Sequence, residues 1–259
     1  MDSAVDPEVA DRWWDGGKVT VVLPALDEAA ALPAALAGFP RGIDLVVVDN
    51  GSTDGTAAVA LAHGARVVRE PRRGFGAACL AGVLASPHAG VIAFADADGS
   101  FDGADLAGVA GPVLRGEADL VLGSRLLGRR DRGAMSPVAI VENRILGLLS
   151  AVLFGVRISD LGPFRAVRRA TLLSLGIQDR GGGWPLEMVG RAAAAGLRVA
   201  EVPVRYRRRA GGSSKVSGSL RGTVRATVAM LGVCWRLRHL RRRRGRGAGD
   251  AGAGPRGVG

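Results

Sequence analysis

The chain is poor in the residue types that build disulfide frameworks, zinc sites and base-stacking surfaces. Its 259 residues include two cysteines and three histidines, and aromatic residues make up 4% of the chain. Cys79 and Cys234 cannot form a disulfide framework, and neither has a histidine placed beside it in a catalytic motif. The three histidines show no metal-ligand spacing. The composition therefore excludes a disulfide-stapled domain and does not favour zinc or thiol chemistry.

Long apolar runs are also missing. The longest apolar stretches, at 145–156 and 226–235, fall short of the ~20 residues that a bilayer-spanning helix needs. The first residues are acidic and lack the apolar segment of a signal peptide. We therefore expect a cytoplasmic protein with no spanning helix.

Acidic residues are absent from one long segment of the chain. The formal net charge is +11, yet residues 205–246 contain no Asp or Glu, so the excess positive charge belongs to the C-terminal part. Such a segment is typical of contact with nucleic acid, an anionic membrane or phosphorylated substrates, or of a solvated tail. The few aromatic residues and the lack of a stacking motif beside the basic run argue against nucleic-acid binding.

The most informative segment that is present is AGVIAFADADGS, at residues 89–100. Its apolar run predicts a buried parallel strand, with Asp96 and Asp98 at the carboxyl end. Two carboxylates there repel each other unless a cation lies between them. Such hard oxygen ligands suit Mg²⁺ or Mn²⁺, which commonly carry a substrate phosphate. An isolated Asp-x-Asp more often forms a turn, and Asp102 could cap a helix over 103–115.

A second buried run, at residues 45–48, also ends in a carboxylate, Asp49. Two strands that end in carboxylates at one sheet edge indicate a binding site, because open α/β sheets bind ligands at that edge. Strands alternate with helices over the first half of the chain, which predicts a mostly parallel, doubly wound α/β sheet. The predicted strands are 18–24, 43–49, 65–70, 91–96 and 119–125, and the first predicted helix is 29–39.

The second half follows a different pattern. We predict an apolar helix at 138–156 with a break near Gly147, a short strand and helix within 158–176, a helix at 184–196 and a returning strand at 197–206. The predicted organisation is an N-terminal extension at 1–17, one domain at 18–218, a basic amphipathic helix at 219–244 and a disordered tail at 245–259. The first apolar helix could pack in the core or lie on a membrane, whereas the basic helix favours a membrane surface.

Seven segments, in this order, resemble family 2 glycosyltransferases of the GT-A fold. They are VVLPALDE, VVVDNGSTDGT, RGFGAA, FADADGS, LVLGSR, SDLGPFRA and EVPVRYRRRAGGSSK, and the resemblance spans residues 18–225. The branch that this order resembles most is dolichyl-phosphate mannose synthase and the bacterial polyprenyl-phosphate glycosyltransferases. The resemblance implies a GT-A domain over 18–218 that transfers a sugar from a nucleotide-diphosphate donor to an acceptor, often a lipid phosphate.

The resemblance also implies a role for each matched residue on the donor side. The residues that would contact the nucleotide sugar are Pro24, Leu26, Glu28, Asp49, Asp96, Ala97, Arg209 and Lys215. Among them, Arg209 and Lys215 would close over the pyrophosphate. Asp98 would bind the metal, with Asp96 and Ser100 beside it. Ser100 stands where the mannose synthases usually carry Gln.

The acceptor side depends on the acidity of the group that attacks the sugar. A phosphate monoester has a second pKa near ~6, so it needs cations rather than a base. Arg125 matches a basic residue near the phosphate, and Arg129, Arg130 and Arg132 cluster after it. A hydroxyl acceptor would instead need a carboxylate base. Asp160 and Glu187 are the candidates, and Asp160 is preferred because it lies in the SDLGPFRA motif.

The sequence thus predicts an inverting glycosyltransferase that depends on Mg²⁺ or Mn²⁺, with Asp98, Asp160 and Arg125 as its catalytic residues. It would move a sugar from a UDP- or GDP-sugar to a polyprenyl phosphate, peripherally at the cytoplasmic face of the membrane. One alternative is a glycosyltransferase acting on a soluble hydroxyl acceptor. Two others are an inactive sugar-nucleotide-binding relative and a basic nucleic-acid-binding protein.

Overall fold

The computed structural model describes residues 19–211 together with Gly232, Val233, Arg236 and Leu237. The predicted extension at 1–17, the predicted tail at 245–259 and Lys215 lie outside the described residues. So does most of the predicted helix at 219–244. The predicted domain boundaries at 17/18 and 218/219 therefore stay predictions.

Seven strands form one sheet in the order β3-β2-β1-β4-β6-β5-β7. Strands β1 to β4 are mutually parallel, β7 is parallel to β5, and β6 runs antiparallel to both of its neighbours. The predicted mostly parallel α/β sheet is confirmed. The strands are β1 (Val19–Ala25), β2 (Asp44–Asp49), β3 (Arg66–Arg69), β4 (Val91–Phe94), β5 (Leu120–Ser124), β6 (Arg165–Arg168) and β7 (Val199–Pro203).

The five strands that alternate with helices, β1 to β5, all point the same way, and β6 lies antiparallel between β4 and β5. Its apolar residues, Ala166 and Val167, are fully buried on opposite faces of the sheet. A strand buried on both faces shows the same apolar run whichever way it points. The sequence pattern therefore located this strand without giving its direction.

Both faces of the sheet are covered, and alternate strand residues enter two different cores. Val22 and Ile92 belong to one core, whereas Val21 and Ala93 belong to the other. This alternation follows from the two-residue period of an extended chain. Helices cover the two faces: α1 (Leu32–Ala37), α2 (Thr56–Ala62), α3 (Phe75–Leu84), α4 (Leu106–Leu114), α5 (Pro137–Phe154), α6 (Arg169–Ser174) and α7 (Trp184–Ala194).

Two helix starts have a clear local cause. Helix α1 begins at Leu32, later than predicted, because Pro33 occupies its first turn and the preceding residues form a turn on the Glu28 carbonyl. Asp102 accepts a hydrogen bond from the Ala104 amide and caps the short 3₁₀ turn that leads into α4. The predicted capping role of Asp102 is therefore confirmed.

Helix α5 is continuous, so the predicted break near Gly147 is wrong. Gly147 is buried, and a Cβ atom at this position would lie 2.3 Å from the Ile158 carbonyl oxygen. The glycine therefore allows the helix to approach the chain segment at 158, and it does not interrupt the helix. The helix ends at Gly155, whose φ of 73° is the left-handed cap that glycine favours.

The described residues of the predicted basic helix pack against α7. Val233 and Leu237 are buried in the core, and Arg236 donates a hydrogen bond to Asp179 at 3.0 Å. A Cβ atom on Gly190 of α7 would lie 2.5 Å from a Leu237 methyl carbon. At these two positions, the apolar side chains face the protein core, where the sequence favoured a membrane surface.

Candidate active site

The loops after β1 and β2 are joined at the carboxyl edge of the sheet. Ala25 pairs with Asp49 at the ends of these strands, and Asp49 accepts a hydrogen bond from the Ser52 amide at 2.8 Å. The Glu28 amide donates to the Thr56 hydroxyl at 2.9 Å. The loop after β1 turns at Asp27, whose φ of 50° is unusual for a residue other than glycine. This strained turn directs Glu28 back over the sheet edge.

Asp96 and Asp98 follow β4 at the same edge, as predicted. The strand itself ends at Phe94, and Asp98 lies in a turn where it is 5% exposed. One Asp98 oxygen accepts hydrogen bonds from the Ser100 amide, at 2.9 Å, and the Ser100 hydroxyl, at 2.5 Å. Ser100 therefore fixes one oxygen of Asp98.

Arg209 links two carboxylates from distant parts of the chain. Its guanidinium donates to the second Asp98 oxygen at 2.9 Å and to both Glu28 oxygens at 2.7 and 2.8 Å. Burial alone would lower the pKa of Arg209, and the paired Glu28 and Asp98 carboxylates raise it above its ordinary value. A cation of the protein itself thus lies between the carboxylates, in a side chain predicted to bind pyrophosphate.

The environment of Asp96 disfavours its charged form. Removal from water, followed by the charge of Asp98, raises the pKa of Asp96 to about 7, while the charges of Arg125 and Arg209 act in the opposite direction. A perturbed carboxyl group of this kind in a cleft marks a candidate functional site.

The donor set fits a divalent cation that completes its shell with substrate. Within the described ranges, no three His, Cys, Asp or Glu side chains gather tightly enough to hold a metal by themselves. Mg²⁺ and similar ions are commonly held by one or two carboxylates plus substrate phosphates. Asp96, Asp98 and the Ser100 hydroxyl supply oxygen donors of that type. A bound cation would also relieve the repulsion that raises the Asp96 pKa.

Asp160 is buried and paired with Arg125. One Asp160 oxygen accepts from the Arg125 amide and Nε, both at 2.8 Å, and the other accepts from a terminal nitrogen at 2.7 Å. Asp160 is 0% exposed. Burial would lower the pKa of Arg125, but the Asp160 carboxylate outweighs it and holds the pKa above its ordinary value. The geometry suits positioning of Arg125 better than removal of a substrate proton.

Glu201 on β7 holds the loop that carries Asp160. Its carboxylate accepts from the Ser159 amide at 2.7 Å, the Ser159 hydroxyl at 3.0 Å and the Asp160 amide at 3.1 Å. The Ser159 hydroxyl is also 2.7 Å from that of Ser124. We did not single out Glu201 from the sequence, because its partners lie about forty residues earlier. Its place in the EVPVRYRRRAGGSSK segment was the available signal.

Tyr206 is a second residue that the sequence analysis missed. The Arg125 guanidinium lies 5.2 Å from the centre of its ring, within the range of a cation–π contact. The Tyr206 amide donates to the Arg129 carbonyl, and the ring packs on Phe101 at 5.1 Å. Tyr206 is the single tyrosine of the chain, and that scarcity in a matched motif was the signal. Arg125 is thus held between Asp160 and an aromatic face.

The arginines predicted to bind an acceptor phosphate lie on an exposed loop beside this pair. Arg129, Arg130 and Arg132 are exposed, and the Arg132 carbonyl accepts from the Arg208 side chain. Arg130 and Arg144 line a cavity of about 350 Å³, which also includes Leu127 and Ser159. The cavity therefore reaches from the exposed arginines to the residue next to Asp160.

Other predicted residues lie at the sheet edge or away from it. Pro24 and Leu26 are half-buried at the end of β1, and Ala97 is buried between the two acidic residues. Glu187, the alternative base, is 1% exposed and bonds to Gln178, Asp179 and Arg191. Those partners are not in the cleft, so the contacts of Glu187 support a packing role.

Comparison with known proteins defines the class of enzyme. The model of glycosyl transferase family 2 matches residues 20–175. An uncharacterized glycosyltransferase of Mycobacterium tuberculosis is 49% identical over 214 residues, which cover 82% of this chain and 96% of the relative. The chain therefore belongs to glycosyl transferase family 2, and it is a glycosyltransferase. Arg209 and Tyr206 lie beyond the part that the family model matches.

Relatives with more specific names are more distant. An undecaprenyl-phosphate mannosyltransferase of Micrococcus luteus is 30% identical, covering 88% of this chain and 99% of the relative. A polyprenol monophosphomannose synthase of Mycolicibacterium smegmatis is 32% identical, covering 86% and 90%. Glucosyl-3-phosphoglycerate synthase from M. tuberculosis, solved with Mn²⁺, UDP and its product, has a TM-score of 0.66 at 23% identity, covering 90% of this chain and 86% of its own. That likeness shows the shared GT-A fold.

Proposed function

We propose that this enzyme transfers a sugar from a UDP- or GDP-sugar to a polyprenyl phosphate, with inversion and with the aid of a divalent cation. The observation that carries the proposal is the placement of two cationic side chains near the same acidic pair. Arg209 contacts Asp98. Arg125 lies over the Tyr206 ring, and the amide of the next residue, Arg207, donates to the Ser100 carbonyl. One cation is available for the donor diphosphate and the other for an acceptor phosphate.

The donor side follows from the carboxylates and Arg209. A divalent cation held by Asp96, Asp98 and the Ser100 hydroxyl would neutralise charge on the diphosphate as a Lewis acid. Arg209 exchanges its bonds to Glu28 and Asp98 for bonds to phosphate oxygens, which a planar guanidinium contacts in pairs. Lys215, outside the described residues, would add a further positive charge. Pro24, Leu26, Asp49 and Ala97 would line the nucleotide.

The acceptor side follows from Arg125. Asp160, Glu201 and the Tyr206 ring hold this guanidinium in place before substrate arrives, so little ordering is needed on binding. The acceptor phosphate oxygen forms a bond to the anomeric carbon while the bond from that carbon to the diphosphate oxygen breaks. A phosphate that is already dianionic requires no protein base. The burial and pairing of Asp160 support this over the hydroxyl-acceptor alternative.

Two relatives add support for a lipid acceptor, since one is named an undecaprenyl-phosphate mannosyltransferase and the other a polyprenol monophosphomannose synthase. The exposed arginines Arg129, Arg130 and Arg132 lie on the same side as Arg125 and would attract its phosphate. Action on such an acceptor implies a location at the cytoplasmic face of a membrane. The structure of a soluble-acceptor enzyme with the same fold defines the competing outcome.

The test is a transfer assay with purified protein, Mg²⁺ or Mn²⁺, a panel of labelled UDP- and GDP-sugars and a polyprenyl phosphate. We expect labelled sugar in the organic phase after extraction, and the anomeric configuration of the product, read by NMR, should be opposite to that of the donor. Label found in the aqueous phase alone, on an added soluble acceptor, would overturn the lipid assignment.

Asp98→Asn tests whether this cleft performs the transfer. The variant keeps the side-chain shape but removes the charge that would hold the cation, so turnover should fall at least ~100-fold. Asp119→Asn is the matched control, because Asp119 forms an ion pair with Arg198 on the surface and should leave turnover unchanged. Equal activity of both variants would contradict the assignment and favour a site elsewhere.

A further inference from the structure

Helix α5 packs Leu146, Leu153 and Phe154 against the core, yet it exposes five other large apolar residues. The residues that it buries are Asn143, Gly147 and Ser150. A core-facing helix of a globular protein normally carries charged and polar residues on its solvent side. Its large exposed residues are Val138, Val141, Ile145, Leu148 and Val152, each between 52% and 65% exposed.

These five exposed residues, here called the α5 stripe, follow one another at steps of three and four residues. That spacing places them on one side of a helix, opposite the buried residues. In the preceding loop, Leu127 is also 56% exposed. A continuous exposed apolar surface of this kind marks an interaction site.

The buried side of α5 holds the helix against the protein body. The Asn143 side chain donates to the Ala139 carbonyl at 2.8 Å and accepts from the Leu161 amide at 3.1 Å. Gly147 approaches the Ile158 carbonyl too closely for any side chain. By length and mean hydropathy of 1.6, α5 could cross a bilayer, contrary to the sequence expectation. Crossing would strip the Leu161 amide of its partner and place Asn143 in lipid, at a cost of several kcal/mol.

Positive charge surrounds the α5 stripe. Among the described residues from 126 to 157, the acidic side chains are Asp131 and Glu142, and Asp131 already accepts from the Arg208 amide. The exposed basic side chains in the same stretch are Arg129, Arg130, Arg132, Arg144 and Arg157. An apolar stripe bordered by arginines matches a surface with an apolar interior and anionic headgroups.

A second copy of the chain matches the stripe less well. The three- and four-residue steps would suit a helix pair. In a two-fold pairing, however, the same patch meets itself, so the arginines of one copy would face those of the other. Anionic lipid reverses that repulsion into attraction.

We propose that α5 lies flat in the headgroup region of an anionic bilayer, with the α5 stripe in the acyl boundary and the surrounding arginines on lipid phosphates. The inference rests on the proposed function and deepens it, because it states how a membrane-bound acceptor reaches the site. The inner side of α5 holds the segment from Ile158 to Leu161, which carries Asp160 and so fixes Arg125. The cavity lined by Arg130 and Arg144 opens between this helix and that pair.

The test uses an environment-sensitive NBD fluorophore on single cysteines in the full chain. Cys234→Ser removes one native thiol, and Cys79 is fully buried. Leu148→Cys reports on the α5 stripe, and Leu61→Cys on α2 is the matched control, because the two leucines are 65% and 62% exposed. We expect vesicles of phosphatidylcholine and phosphatidylglycerol to blue-shift and brighten the label at 148 and leave the label at 61 unchanged.

A second variant measures how much the stripe contributes. Ile145→Ser with Leu148→Ser removes apolar surface from exposed positions, so the fold should be retained. Vesicle partitioning should weaken at least ~10-fold, since each buried apolar side chain contributes appreciably to transfer from water. Leu61→Ser should leave partitioning unchanged. Equal loss for both variants, or no loss for either, would overturn the proposed surface.

The remaining outcomes separate this inference from the others. A blue shift at 148 without vesicles, together with a dimer mass by light scattering, would assign the stripe to a second copy and reject the membrane. Transfer to a short-chain polyprenyl phosphate in the absence of vesicles tests the proposed function alone. Active enzyme with an unchanged label at 148 would reject the surface, whereas vesicle insertion without transfer to any lipid phosphate would reject the proposed function and leave the surface standing.

Discussion

At the scale of single residues, the cleft is stabilised by ion pairs between buried or half-buried side chains. Glu28, Asp98 and Arg209 come from three distant parts of the chain, and each is partly or fully buried. A carboxylate removed from water is stable when a cation accompanies it. In this structure Arg209 supplies that positive charge, and under the proposed function a bound metal ion with its nucleotide would supply it instead.

Removal of this guanidinium should therefore destabilise the enzyme in the absence of metal. We expect Arg209→Gln to lower the melting temperature in EDTA by about 2–4 °C, which corresponds to ~1 kcal/mol for a domain of this size. Mn²⁺ alone should recover more stability in the variant than in the parent, because the cation replaces the missing positive charge. Differential scanning fluorimetry with EDTA and with Mn²⁺ measures both effects.

Arg208→Gln provides the control, since the adjacent Arg208 side chain donates to the Arg132 carbonyl on an exposed loop. It removes the same charge without touching Glu28 or Asp98. If both variants melt at the same temperature in EDTA, Arg209 does not stabilise the carboxylates.

At the scale of elements, the sequence located most strands and missed how some of them meet. Buried apolar runs identify β1, β2 and β4 because the sheet is covered on both faces. Because β6 is also buried on both faces, its apolar residues do not indicate whether it runs parallel or antiparallel to its neighbours. Asp96 and Asp98 could be placed at a strand end from the sequence, whereas Glu201 and Tyr206 could not be linked to Arg125. Their contacts depend on strand order, which short-range spacing does not encode.

Helix α5 shows a similar limit, because its composition gives no indication of which side faces the protein. The small residues Gly147 and Ser150 are buried beside Leu146, Leu153 and Phe154, while five other large apolar residues are exposed. Close packing of the helix against the chain at 158 requires a small residue at Gly147, whereas the apolar sequence alone left both the core and a membrane surface open.

Glycine substitutions should separate these two kinds of helical position. Gly147→Ala in α5 should lower the free energy of unfolding by about 1–3 kcal/mol, because the added methyl would overlap the Ile158 carbonyl. Gly108→Ala in α4 has open space at the new Cβ atom, so it should be neutral or stabilising by up to ~1 kcal/mol. Urea unfolding followed by circular dichroism gives both values. Stabilisation by Gly147→Ala would contradict the close approach of α5 to residue 158.

At the scale of the whole molecule, the two cores keep the interior inaccessible to reagents until the protein unfolds. Cys79 on α3 is 0% exposed, and burial raises its thiol pKa well above the ordinary value. The thiolate is the reactive species, so a raised pKa reduces reactivity at any given pH. In this way, Cys79 can report on unfolding of the entire domain.

In a Cys234→Ser background, we expect the native enzyme not to react with a disulfide reagent between pH 7 and 9. A free thiol of ordinary pKa would react ~25-fold faster at pH 9 than at pH 7, because its thiolate fraction rises. In urea above the unfolding midpoint, Cys79 should react fully. A native reaction that accelerates with pH as a free thiol does would show that the α3 side of the core opens locally.

The segment after β7 has a consequence for biosynthesis. Residues 205–211 return across the loop at 98–105, where the Arg207 amide donates to Ser100 and the Ala210 amide donates to Asp98. On the ribosome, 111 residues therefore separate the synthesis of Asp98 from that of the matching Arg209 guanidinium. The proposed donor site is therefore completed late in translation, after the stretch that the family model matches has been made.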